Sequence, residues 1–216
     1  MINQKLIPLL LCMAFTGLLL AVRIAFTGTL QYVFLGWNLF LAWLPFAIST
    51  HITTRPLPCS RWRQYAWLLA WLLVLPNAPY IITDFVHFTE RPPVPLWYDL
   101  ALLFMASFTG LLMAFWSLSH AERQWRRMYP AAPLLPFRAV VLFLCSFGIY
   151  LGRFGRFNSW DVVSNPGGLL NSVAHRVAFP LEHVRTWGVT LLFTAMLFFL
   201  YTALKSGDTD KEAGIV

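Results

Sequence analysis

The chain predicts an all-α, polytopic membrane bundle of about six transmembrane helices, with a short interfacial helix in its last outer loop. Three observations carry this expectation. Apolar residues make up 58% of the 216 and charged residues only 12%, about half the charged fraction a soluble domain carries. Six apolar runs approach the roughly 20 residues needed to cross a bilayer. The basic residues fall mainly in the gaps between those runs, as topology control requires.

The spans are expected at about 6–22, 30–48, 64–83, 98–119, 134–152 and 187–204. The first follows Lys5 and is too long for a signal-peptide core, with no small-x-small site before Arg23, so it reads as a retained span. The fifth begins with Arg138 inside its apolar run, which must snorkel to the interface. The spans form one membrane domain over 1–205, and 206–216 reads as a flexible cytoplasmic tail. Cys12, Cys59 and Cys145 have no paired spacing and serve as small apolar fillers.

Charge counting sets the orientation. With the N-terminus inside, the inner gaps hold Lys5, Arg55, Arg61, Arg63, Arg123, Arg126, Arg127, Arg138, Lys205 and Lys211. The outer gaps hold Arg23, Arg91, Arg153, Arg156, Arg176 and Arg185. The excess favours both termini in the cytoplasm of a bacterial inner-membrane protein. It also accounts for the net charge of +7 without a nucleic-acid partner, so the bilayer is the expected partner. Four of the six outer positives lie between 153 and 185, against the rule.

Two stretches concentrate the polar chemistry. In LVLPNAPYIITDFVHFTERPP, residues 73–93, Pro76 and Pro79 interrupt an apolar helix and free backbone carbonyls. Asn77 can cap a new turn. Helical periodicity then aligns Asn77, Tyr80, Asp84, His87 and Arg91 on a stripe about 80° wide. Such a seam should face the bundle interior or a wet cavity. Asp84 and His87 form a candidate acid–base pair, or two donors for a metal. A zinc site usually takes three or four protein donors, so a hydrogen-bonded buried pair is the plainer reading.

The second stretch is GRFGRFNSWDVVSNPGG, residues 152–168. Arg153, Arg156 and Trp160 share a face if the fifth helix continues outward. Two guanidiniums there suit a phosphate or carboxylate, with Asn158, Asp161 and His175 as further ligand-binding candidates. They equally suit pairing with Asp84, Glu90 or Asp161. After SNPGG, residues 168–179 alternate as a short amphipathic helix in the interface. Folded back, it would carry His175 towards Asp84 and His87. His183 follows Glu182 before the last span, while His51 and His120 sit at the opposite end and stay outside the site.

NAPY followed by TD and His87, with GRFGRFNSWD and the later NP, resembles an uncharacterised family of bacterial integral membrane proteins, domain of unknown function 1361. The resemblance covers about residues 25–200, and Asn77, Pro79, Tyr80, Asp84, His87, Arg153, Asn158, Ser159, Trp160 and Asp161 lie in its motif regions. It implies a multi-spanning membrane protein and supplies no activity or cofactor. Three functions fit these residues: an outward-facing site for an anionic lipid or envelope precursor, a small proton-coupled transporter, or a structural assembly protein.

Overall fold

A computed structural model describes residues 2–54 and 60–212. Arg55 and Cys59 lie outside the described residues. Within them, the chain is helical throughout: α1 Ile2–Thr27, α2 Phe34–Thr54, α3 Arg61–Val74, α4 Asn77–Tyr80, a 3₁₀ segment Ile81–His87, α5 Leu96–Met128, α6 Leu134–Arg153, α7 Asp161–Ser164, α8 Pro166–Ala178 and α9 Val184–Glu212. An all-α membrane-type fold is therefore what the apolar runs encode. Five stretches are long and apolar enough to cross a bilayer: Leu6–Thr27, Arg61–His87, Leu96–Met128, Leu134–Arg153 and Val184–Lys205. The second predicted span corresponds to α2. Its 21 residues suffice in length, but Asn38, Pro45 and His51 dilute its hydropathy and leave it outside those five.

The contacts divide the chain into two compact units, Met1–Pro130 and Ala131–Val216. In the first, α5 is the central element, packing against α1, α2, α4 and the 3₁₀ segment. Its buried positions include Leu102, Leu103, Ala106, Ser107, Gly110, Met113 and Ser117, a face rich in small residues that lets backbones approach closely. Gly110 shows why. A Cβ there would lie 2.4 Å from the carbonyl oxygen of Ala78 in α4, well inside van der Waals contact. Further along the same helix, Trp71 Nε1 donates to Ser117 Oγ, which donates in turn to the Pro45 carbonyl at 3.0 Å. One hydroxyl thus joins α3, α5 and α2.

The second unit is built on α6 and α9, packed antiparallel, with α7 and α8 between them in sequence. Trp187 stacks on Phe147 at 5.7 Å and on Phe143 at 6.4 Å between centroids. Arg138 does not hang free from its apolar run. Its guanidinium lies 4.9 Å from the ring centroid of buried Tyr201, with Lys205 at 5.6 Å from the same ring, so the ring quadrupole stabilises both cations. Helix α9 continues past the expected end of the last span to Glu212, taking in residues expected to form a flexible tail.

Gly110→Ala is expected to destabilise the first unit by about 1–3 kcal/mol, because the added methyl overpacks against backbone. Gly17, in α1, has open space around its Cβ position, so Gly17→Ala should be neutral or stabilising. Equilibrium unfolding of both variants in detergent micelles measures the contrast.

Candidate functional site

The third apolar stretch is broken where its prolines remove two backbone donors. The chain repairs the break locally. Ala78 N donates to the Leu75 carbonyl at 3.1 Å, Tyr80 N to Pro76 O at 3.0 Å, and Asn77 Nδ2 to Val74 O at 3.0 Å. Asn77 therefore does not cap the following turn. Its amide reaches back and replaces the backbone donor that Val74 has lost. Thr83 Oγ1 donates to Tyr80 O at 2.7 Å, and Ser107 Oγ of α5 donates to Ile81 O at 3.2 Å.

From Ile81 the turns tighten to 3₁₀ geometry, which changes the predicted stripe. With three residues per turn, i and i+3 eclipse, so Ile81, Asp84 and His87 fall in line. Ile81 and Asp84 are buried, at 0% and 1% exposure, while Asn77, Tyr80, His87 and Arg91 are half-buried. Asp84 Oδ2 accepts from Asn38 Nδ2 of α2 at 2.8 Å. Of the five stripe residues only Asp84 is buried, in the interior of the first unit, where it has an amide partner.

Around His87 the contacts converge on the turn before α2. Tyr32 donates its hydroxyl to the His87 carbonyl at 3.0 Å, and the His87 ring meets Phe34 edge-on at 5.2 Å. The Tyr32 ring carries two guanidiniums near it, Arg23 at 4.7 Å and Arg91 at 5.4 Å from its centroid. Arg91 also donates to Thr89 Oγ1 at 2.9 Å and to the His87 carbonyl at 3.4 Å. Tyr32 itself has φ of 65°, a left-handed conformation costing roughly 1–2 kcal/mol for a bulky residue. These contacts hold it there.

Four residues of this cluster, Arg23, Tyr32, Asn38 and Asp99, were not among the sequence candidates. Arg23, counted as an outer-loop charge, forms a two-pronged ion pair with Asp99 of α5, Nε to Oδ1 at 2.6 Å and Nη2 to Oδ2 at 3.0 Å. Their side chains are 1% and 2% exposed. The available signal was an arginine at the end of one apolar run and an aspartate near the start of another, each expensive in a membrane unless paired. Arg23, Tyr32, Asn38, Asp84, His87, Arg91 and Asp99 thus form one linked set in the first unit.

The 153–161 segment belongs to the second unit, and its helix does not continue outward. Helix α6 ends at Arg153, and Arg156 adopts φ of 58°. Arg153, Arg156 and Trp160 therefore share no helical face. Gly155 makes the turn possible, since a Cβ there would stand 2.7 Å from the Leu151 carbonyl. Asp161 acts locally. Its carboxylate accepts from the Asn158 backbone at 2.6 Å and from Ser164 Oγ at 2.9 Å. Arg156, Asn158 and Trp160 are exposed and Arg153 is half-buried.

The short helix expected at 168–179 is present as α8, with Asn165 capping Gly168 N at 3.1 Å and Pro166 in the first turn. None of its residues is buried. His175 meets His183, whose Nε2 lies 2.8 Å from His175 Nδ1. Among the described residues, no group of three or more His, Cys, Asp or Glu converges to hold a metal.

The bonds to Asn158 N–H and the Ser164 hydroxyl hold the Asp161 carboxyl below its ordinary range. A depressed folded pKa contributes order above the unfolded value and loses it as pH falls through the folded one. Hydrogen–deuterium exchange, corrected for intrinsic rates, should show Asn158, Val163 and Ser164 protected near neutral pH and progressively released as pH falls below about 4, the ordinary Asp value. Asp161→Ala should release them at all pH values.

No curated protein and no solved structure matches the chain. Residues 37–200 match the family model described as protein of unknown function (DUF1361). The match takes in both motif regions, most of α2 and the start of α9. With most of its length matched, the chain belongs to the DUF1361 family of proteins of unknown function.

Proposed function

We propose that the linked cluster of the first unit is an outward-facing site for an anionic lipid or envelope-associated ligand, in a bacterial inner-membrane protein with six spans and both termini cytoplasmic. The single observation that carries the reading is the set of groups around Tyr32: two guanidiniums near its ring, with the His87 carbonyl on its hydroxyl. Arg23 is committed to Asp99. Arg91 is half-buried at the end of the seam and is the cation that meets an anionic headgroup. His87, one 3₁₀ turn or about 6 Å from Asp84, is the group that exchanges a proton with the ligand. Asp84, fixed by Asn38, presents a buried carboxyl beside it. The excess of basic residues at the other ends of the spans supports the orientation.

A second reading has its own observation. The proline-broken third stretch, with a buried carboxylate where the helix changes pitch, has the character of the discontinuous helices that line transport sites. In that reading Asp84 carries a coupled proton.

Native mass spectrometry of the full chain with phosphatidylglycerol or phosphatidylcholine tests the first reading. Wild type should retain phosphatidylglycerol preferentially, and Arg91→Gln should weaken that retention about tenfold, a loss near 1.4 kcal/mol. Arg126→Gln, at an exposed arginine in the last turn of α5, should leave it unchanged. Equal retention of both lipids by all three proteins contradicts the site. Proton flux in reconstituted vesicles that Asp84→Asn abolishes, with lipid retention intact, would favour the carrier.

A further inference from the structure

His183 has no part in the site proposed above, yet its ring lies within hydrogen-bond distance of the His175 ring. His175 Nδ1 and His183 Nε2 are 2.8 Å apart, with ring centroids at 5.0 Å and planes at 74°. We propose that this pair is a two-imidazole site for a divalent transition cation of the copper(II) or nickel class that imidazole suits. It lies in the second unit and is independent of the lipid site.

The backbone brings the two rings together without help from the rest of the bundle. His175 is in the last turn of α8. The chain then reverses through Phe179 N to His175 O at 2.9 Å, Glu182 N to Phe179 O at 3.2 Å and His183 N to Pro180 O at 3.2 Å. Thr186 N closes the next turn on His183 O at 2.9 Å, which starts α9. Phe179 packs on the His175 ring at 4.9 Å between centroids and limits its rotation. The two nitrogens are therefore held close by a short, hydrogen-bonded connection.

A contact of 2.8 Å between ring nitrogens requires one to donate and the other to accept. When the donor ring moves its proton to its other nitrogen, both lone pairs address the same space and no net proton is released. Cu²⁺ and Ni²⁺ take tetragonal geometry, and with bonds of about 2.0–2.1 Å their cis nitrogen ligands stand about 2.8–3.0 Å apart, close to the present gap. His175 is exposed and His183 half-buried, so turning both lone pairs onto one ion needs only a small side-chain rotation. The neighbouring cations are turned elsewhere. Arg176 Nη1 donates to the Ser172 carbonyl at 2.7 Å with its guanidinium 5.8 Å from the Tyr150 ring, and Arg185 lies 4.4 Å from the Phe154 ring. Glu182, next in sequence, adds negative charge near the pair. With two protein donors, the remaining positions belong to water or an exchangeable ligand, so the site binds metal reversibly.

The test uses the full chain without a histidine tag, in detergent, with Cu²⁺ as the probe. The expected result is saturable binding of one Cu²⁺ per chain, with an electron paramagnetic resonance spectrum showing coupling to two imidazole nitrogens. His175→Ala and His183→Ala should each weaken binding at least about tenfold, as loss of one of two chelating donors requires. His51→Ala, at an exposed histidine against Trp67, should have no effect. On the unmutated chain, Cu²⁺ should protect His175 and His183, and not His51, from diethylpyrocarbonate. This readout holds even if a variant folds poorly. Non-saturable binding, a one-nitrogen spectrum, binding that survives either substitution, or protection shared equally with His51 would each overturn the site and leave a hydrogen-bonded pair.

Discussion

The first unit depends on the ion pair between Arg23 and Asp99, because it is the dry contact through which α1, the turn before α2 and α5 fix one another. Removing two charges from water costs several kcal/mol per ion, and only good geometry with further partners offsets it. Here the geometry is two-pronged, at 2.6 and 3.0 Å, and the Arg23 face is covered by the Tyr32 ring. Tyr98, beside Asp99, adds a second tie between α5 and α1 through its hydroxyl on the Leu19 carbonyl at 2.8 Å. Tyr32 passes the constraint onward. Its left-handed backbone persists because Arg23 and the His87 carbonyl both hold its side chain, and that carbonyl ends the 3₁₀ segment. The position of His87 is thus set by a charge pair in other helices.

The same logic governs the polar groups along α5. In an apolar bundle lipid offers a buried donor no partner, and small side chains along α5 supply several of the bonds. Ser107 takes up the Ile81 carbonyl, Ser117 links Trp71 to Pro45, and Ser49 of α2 meets His120 of α5 at 3.1 Å. Pro79 cannot donate to the Leu75 carbonyl, so Ala78 N turns to it and Asn77 takes the Val74 carbonyl that Ala78 leaves, while Thr83 and Ser107 bond the Tyr80 and Ile81 carbonyls of the segment that follows. A proline break is therefore tolerated there because small polar side chains lie within reach. Its benefit is a pitch change that turns Asp84 inward.

Much of the fold was legible because hydropathy over 20 residues depends on composition alone, and every apolar run became helical, the third in three pieces. The burial of Asp84 follows from the same constraint, that charge is expensive in lipid. Three features were hidden by physics that a linear pattern does not contain. Arg23 and Asp99 are 76 residues apart in sequence, and only tertiary packing pairs them. The 3₁₀ tightening after Pro79 changes the angular spacing on which any stripe argument rests. At Arg153 the helix stops where Gly155 lets the chain approach the Leu151 carbonyl, so the two arginines that share a face on an ideal helix separate.

A double-mutant cycle on Arg23 and Asp99, read by equilibrium unfolding in detergent, most directly tests whether this pair organises the first unit. Arg23→Met or Asp99→Leu alone leaves a buried charge unpaired and should cost roughly 3–5 kcal/mol, while the double variant should recover most of that loss. Single losses below about 0.5 kcal/mol, the range of ordinary surface changes, would contradict the role assigned to the pair. So would a double variant whose loss equals the sum of the two singles.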